Sequence, residues 1–183
     1  MFHDSSAEEQ IDQAIKKAIG KSTVWLGQLA AGAIPFSTLK ARVFGEMRRL
    51  YTETAELGVG GPLDADERVF LEASLQEQLF AEVGSEEFGL SGRMSEYQDD
   101  VITMGQFSQT VSNYLKSSRG QSIEMWSKRE GETIVRRQLG DTKDHCYQCK
   151  MYAALPAMKL KDAVIPGRDC DCYTNCLCTL VEV

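Results

Sequence analysis

Apolar side chains recur at helical spacing along most of this chain. Ile11, Ala14, Ile15, Ala18 and Ile19 share one face of a helix, and Ser6-Ala7-Glu8-Glu9 before them has capping-box spacing. Gly20-Lys21-Ser22 reads as a break. A second, more apolar helix is expected over 24–34, ended by Pro35. Its Val24, Trp25, Leu26 and Leu29 suit either core packing or the docking of a partner. Ser37 is the expected cap of the next helix. Leu39, Val43, Met47, Leu50, Thr54 and Leu57 form its stripe, widened by Phe44 and Tyr51, and Gly58, Gly60, Gly61 and Pro62 stop it.

The pattern continues past that turn. Asp64-Ala65-Asp66-Glu67 is a second capping box, followed by Val69, Leu71, Leu75, Leu79 and Val83 along one helix. A loose connection is expected over 87–92. One long helix over 94–116 would bury Met94, Tyr97, Val101, Met104, Phe107, Val111, Tyr114 and Leu115. Ser117-Ser118-Arg119-Gly120 reads as a hinge. A last helix over 121–139 would carry Ile123, Trp126, Ile134, Val135 and Leu139, with Lys128, Arg129, Arg136 and Arg137 on a solvated basic face. Short strand pairs are expected around Cys146 and Cys176.

The periodicity fails in the last 44 residues, where Leu155, Met158, Leu160, Val164, Ile165, Leu177, Leu180, Val181 and Val183 follow no period. The expected organisation is therefore mainly α: a multi-helix body, residues 1–139, with long amphipathic helices, and a small Cys-rich module, residues 140–183. A segment so short rarely offsets its conformational entropy by burial alone. It needs a cross-link.

The cysteines supply one. All six lie between 146 and 178, as Cys146-x-x-Cys149 and Cys170-x-Cys172-x-x-x-Cys176-x-Cys178, with His145 beside the first. Buried structural cysteines scatter; these crowd. Three chemistries fit. Two thiolates spaced C-x-x-C can share a tetrahedral zinc ion at about 2.3 Å each, and the spacer to the downstream sulfurs matches the gap between zinc half-sites. Six cysteines can also form disulfides, in any of about fifteen pairings. A redox C-x-x-C wants a strand-helix-strand setting, and Pro156, Pro166 and Gly167 follow here instead. The first twenty residues show no secretory apolar run, so reduced thiols and metal are the expectation. A structural zinc ion supplies roughly 10–16 kcal/mol of apparent binding free energy.

Composition narrows the function classes. The chain has 183 residues, 43% of them hydrophobic, and no apolar run of transmembrane length. Its formal net charge is −7, and the tail holds five basic against six acidic side chains, hence −1. Four thiolates around one zinc ion would make the tail more negative still. Phosphate binding is therefore not expected, which weighs against a nucleic-acid-binding zinc ribbon. The Gly-rich turn at Gly58–Gly61 lacks the Lys-Ser/Thr of a P-loop, and no nucleophile elbow is present. His3 stands near a terminus, and Asp99-Asp100 suits a solvated helix. An enzyme, such as a small metallohydrolase or a maturation enzyme, would need a zinc with an open position and a base beside it; six thiols in one tail point to a closed site, and no catalytic residue is assigned.

Taken together, Arg137-Gln138-Leu139-Gly140-Asp141, His145-Cys146-x-x-Cys149, Pro166-Gly167 and Cys172-x-x-Asn175-Cys176-x-Cys178-Thr179-Leu180 resemble the C-terminal module of bacteriophage minor head proteins, the head morphogenesis proteins similar to the minor head protein of phage Mu. Trp126 is the counterpart of the tryptophan in their preceding helical region. Leu177 stands where the family has Arg, Tyr173 where many members have His, and Cys170 is additional. The resemblance covers about the last 45 residues, within the length of an ordinary module. It implies a zinc-ribbon-like module with short β-hairpins and one structural zinc ion, held by Cys146, Cys149, Cys172 and Cys176, with Cys178 as the substitute ligand. It further implies a virion component assembled in the bacterial host cytoplasm, in several copies of a symmetric assembly. The implied partners are the portal and the major capsid protein, not a membrane.

Overall fold

The computed structural model describes residues 5–83, 86–87, 89–140, 145–166 and 178–183. Its first element, α1 (Ser5–Ala30), runs straight through the expected break at Gly20. The reason is tertiary. Beyond Gly20 the buried face continues with Ser22 and Leu26, and Lys21 reaches Glu46 on the next helix, with Nζ 3.0 Å from each carboxylate oxygen. The Ser22 hydroxyl donates to Ile19 O at 2.8 Å, so this residue satisfies itself within the helix. Ser6 lies inside the first turn rather than at a cap, and accepts from Gln10 Nε2.

Helix α2 (Phe36–Val59) is the centre of the molecule. Its N-cap is Pro35, without a side-chain cap; the backbone N–H groups of Thr38 and Leu39 bond Pro35 O, so Ser37 is not the cap. Leu39, Val43, Met47, Leu50, Tyr51, Thr54 and Ala55 are buried as the stripe requires. The helix ends as expected: Gly60 takes φ +70°, its N–H bonds Leu57 O, and Gly61 N–H bonds Glu56 O. This is a Schellman ending, which places a residue in a left-handed conformation open to glycine at little cost.

Helix α3 (Ala65–Phe80) starts from the capping box read in the sequence. Glu67 N–H donates to Asp64 Oδ1 at 2.8 Å, and Asp64 N–H to Glu67 Oε2 at 2.9 Å. It ends at Phe80, short of Val83 to which the helix was expected to run; β1 (Glu82–Val83) instead pairs antiparallel with β2 (Glu86–Glu87), ahead of most of the loose connection expected over 87–92. The expected long helix over 94–116 is two: α4 (Leu90–Gln98) and α5 (Met104–Lys116). Asp100 at φ +57° breaks the run, and Thr103 restarts it through a capping box with Gln106. Val101, placed in the core by the single-helix reading, is exposed. The break lets Tyr97 fold back over Phe107, with ring centroids 4.7 Å apart and planes 12° from parallel.

Helix α6 (Ser118–Glu130) makes the most extensive packing of the fold, against α2. The expected hinge at 117–120 is instead part of that packing. Ser118 is buried, Tyr51 Oη lies 2.5 Å from Ser117 Oγ, and Thr54 Oγ1 donates to Ser118 O at 3.1 Å. Polar side chains made the segment look mobile, yet each has a partner: Ser117 meets Tyr51 on α2, the Ser118 hydroxyl donates to Leu115 O, and Arg119 pairs with Asp12 on α1. Trp126 is wholly buried, and its indole N–H donates to Glu130.

The second half of the expected last helix is a strand. Gly131 ends α6, and β3 (Ile134–Gln138) forms the middle of an antiparallel sheet between β4 (Met158–Lys159) and β5 (Thr179–Glu182). Arg137 pairs with Leu180 and Val135 with Glu182, while Ile134 pairs with Lys159. Around Cys146 the structure has a short helix, α7 (Tyr147–Ala153), not the expected strand pair. Leu160 N–H bonds Thr133 O at 2.8 Å, and Leu160 and Ile165 join Val135 and Leu180 in the same core as the helices. The whole is mainly helical with one small three-stranded sheet. Among the described residues no helix is long and apolar enough to cross a membrane.

Candidate metal centre

Side chains alternate across β3. Val135 and Arg137 point inward, whereas Ile134, Arg136 and Gln138 face out. Val135 packs into the core. Arg137 is the exception on that face, a guanidinium only 5% exposed. Its Nη1 donates to Cys149 Sγ at 3.4 Å, and its Nη2 to Val164 O at 2.6 Å. It also stands 5.0 Å from the centroid of the Tyr152 ring. Its Nε is buried without a hydrogen-bond partner among the described residues.

Cys146 sits at the N-cap of α7 in extended backbone, and Cys149 one turn on. The C-x-x-C spacing brings Cys149 N–H within 3.3 Å of Cys146 Sγ, so the first sulfur accepts a backbone bond. Cys149 is fully buried and packs against buried Cys178, which directly precedes β5; Cys146 lies against the pair. His145 Nδ1 is 3.7 Å from Cys178 Sγ. No disulfide joins these three cysteines to one another.

Of the expected ligands, then, Cys149 and Cys178 pack on each other and half-buried Cys146 lies against them. Cys172 and Cys176, like Cys170, lie outside the described residues. Among the described residues no three His, Cys, Asp or Glu side chains converge into a group that could hold a metal ion by themselves. The donors that are present suit zinc in kind. They are soft sulfur with an imidazole beside it, a backbone N–H aimed at one sulfur, and a fixed cation aimed at another. Cys146 and Cys149 of α7 would be the first ligands, with Cys178 just before β5.

Beside the sulfurs opens an apolar cleft of about 230 Å³, lined by Val135, Tyr152, Leu155, Met158, Val164 and Leu180 with Arg136, Arg137 and Asp162 at its charged positions. Met151 and Leu155, on and just beyond α7, are exposed, and Tyr147 is 75% exposed.

The basic residues read as one solvated helix face divide by environment. Arg136 alone is simply exposed on the sheet. Lys128 Nζ lies 3.6 Å from the Phe70 ring centroid. Arg129 forks onto both oxygens of Glu67, at 2.9 and 2.6 Å, and donates to Val59 O and Pro62 O. It thereby ties the end of α6 to the carbonyls at the end of α2 and to the capping box of α3. The Arg129 hydrogen bonds hold the Glu67 carboxyl below its usual pKa against the opposing pull of desolvation. Arg137 was missed as a site residue because its segment was assigned a helical period. The available signal was Gly131 followed by the β-branched run Thr133-Ile134-Val135.

No family model, no curated protein and no solved structure matches this chain.

Proposed function

We propose that this chain is a non-catalytic assembly protein of a bacteriophage head, whose C-terminal segment is folded by one structural zinc ion. The observation that carries the metal reading is the buried meeting of Cys149, Cys178 and Cys146 with a backbone N–H and a guanidinium directed at their sulfurs. Neutral thiols are weak acceptors and gain little from such donors; metal-bound thiolates gain much. Cys146 and Cys149 would supply two ligands and Cys172, Cys176 or Cys178 the others, giving a closed tetrahedral set. A closed set holds shape and leaves no open position for substrate. The head assignment rests on the motif resemblance, and an acidic helical body suits a protein that acts by docking on portal or capsid subunits in repeated copies.

Two measurements test this. Elemental analysis of the reduced protein should find one zinc per chain. Stripping it with a strong chelator under reducing conditions should expose residues 140–183 to protease while most of the helical far-UV signal persists. A tail that stays protease-resistant without metal refutes the zinc reading. Quantitative mass spectrometry of purified procapsids should then find the chain with the portal; its absence from every head intermediate refutes the assembly role.

A further inference from the structure

Arg137 occupies a place where a valine or leucine would need no partner. It stands on the inward face of the central strand, 5% exposed. A guanidinium keeps its charge under all ordinary conditions, and burying it without an anion is costly. Among the described residues no carboxylate pairs with it. Its contacts are Cys149 Sγ at 3.4 Å, Val164 O at 2.6 Å and the face of Tyr152. Only the sulfur can carry a full negative charge, and it does so when it holds a metal. Four thiolates on one zinc ion leave the group at about −2, so a fixed cation touching one of them offsets part of that excess.

We propose that Arg137 is the positioning residue of the metal centre: a fixed outer-sphere donor that holds the Cys149 thiolate in its ligating rotamer and offsets the charge of the zinc–sulfur group. This rests on the zinc reading above. The planar fork matters, because one nitrogen serves the sulfur while another holds the 163–166 segment through Val164 O. Through β3 it also ties the site to the helical core, since Val135 two residues earlier packs there. Arg136 has the same charge one residue away but faces outward, so it serves as the control.

The test uses the full-length reduced protein, titrated with zinc against a chromophoric chelator and with cobalt read by its thiolate charge-transfer absorption. Wild type, R136Q, R137K, R137Q and R137M are compared, with near-UV circular dichroism reporting folding. R137Q and R137M should bind one zinc about 10–100-fold more weakly, the usual cost of removing an outer-shell partner. R137K should fall between them and wild type, its cobalt band should shift, and R136Q should match wild type. Should R137Q and R137M fail to fold, R137K decides: unchanged zinc affinity and an unshifted cobalt band overturn the inference. Folded R137M binding zinc as wild type does also overturns it while leaving the zinc reading standing. A wild-type protein that takes up no zinc removes both.

Discussion

The crossing of α2 and α6 offers a prediction whose sign is set by the structure against the sign set by local propensity. Gly58 is buried in the last turn of α2, where a Cβ would stand 2.5 Å from Ser122 O and 2.9 Å from both its C and Cβ atoms. Two of those three atoms are backbone, so no side chain can swing away. Propensity alone favours alanine over glycine in a helix by about 1 kcal/mol. Overpacking of a fixed interface costs typically about 1–3 kcal/mol. Separating the helices would also stretch the Thr54–Ser118 and Tyr51–Ser117 hydrogen bonds, at about 1 kcal/mol each. The net for Gly58→Ala is a loss of about 2–4 kcal/mol, a fall in Tm of about 6–12 °C for a chain of this size. Gly45 is the internal control: it is exposed in the same helix, and a Cβ there meets nothing within 4 Å. Gly45→Ala should raise stability by about 0.5–1 kcal/mol. Urea unfolding followed by far-UV circular dichroism measures both, and equal m-values make the midpoints comparable. If Gly58→Ala proves as stabilising as Gly45→Ala, the close α2–α6 crossing is wrong.

Other consequences are independent of that crossing. Acid should weaken the fold through the paired carboxylates. Burial alone would raise the pKa of Glu46, but hydrogen bonds and charge from Arg49 and Lys21 outweigh it and set it below the ordinary carboxylate value, and paired Lys159 and Lys161 bring Glu132 down to about 2. Their folded pKa values lie below the unfolded ones, so the stability they contribute is complete above about pH 5 and is lost as pH falls toward 2. Glu46→Gln should cost about 1 kcal/mol at pH 7, since Lys21 and Arg49 can return to water, and should flatten the decline; a decline of unchanged slope in urea titrations at pH 7, 5 and 3 speaks against Glu46 as a contributor. Arg129→Ala removes the Glu67 fork and two carbonyl bonds, with an expected loss of about 1–2 kcal/mol; a double-mutant cycle with Glu67→Gln that shows no coupling contradicts the fork. Cys149→Ala should abolish stoichiometric zinc uptake, whereas Tyr147→Ala, on the exposed side of α7, should leave it intact; equal uptake by both excludes Cys149 as a ligand.

The sequence alone determined what short-range physics controls. The stripes on α1 and α2, the glycine ending at Gly60 and the Asp64–Glu67 capping box each involve residues within a few positions of one another, and each is found as expected. The crowding of sulfur near the C-terminus is likewise a property of the sequence itself. Tertiary structure decided the rest, wherever the partner is remote in the chain. Gly20 stays helical because Lys21 finds Glu46 on α2. Residues 117–120 are packed, not hinged, because Tyr51 and Thr54 meet them. Residues 134–138 become a strand because their partners at 158–159 and 179–182 satisfy the backbone hydrogen bonds, a ladder that no window around Val135 reveals. That strand then turns Arg137 inward onto Cys149, so the contact most informative about chemistry exists only once segments far apart in the chain have paired.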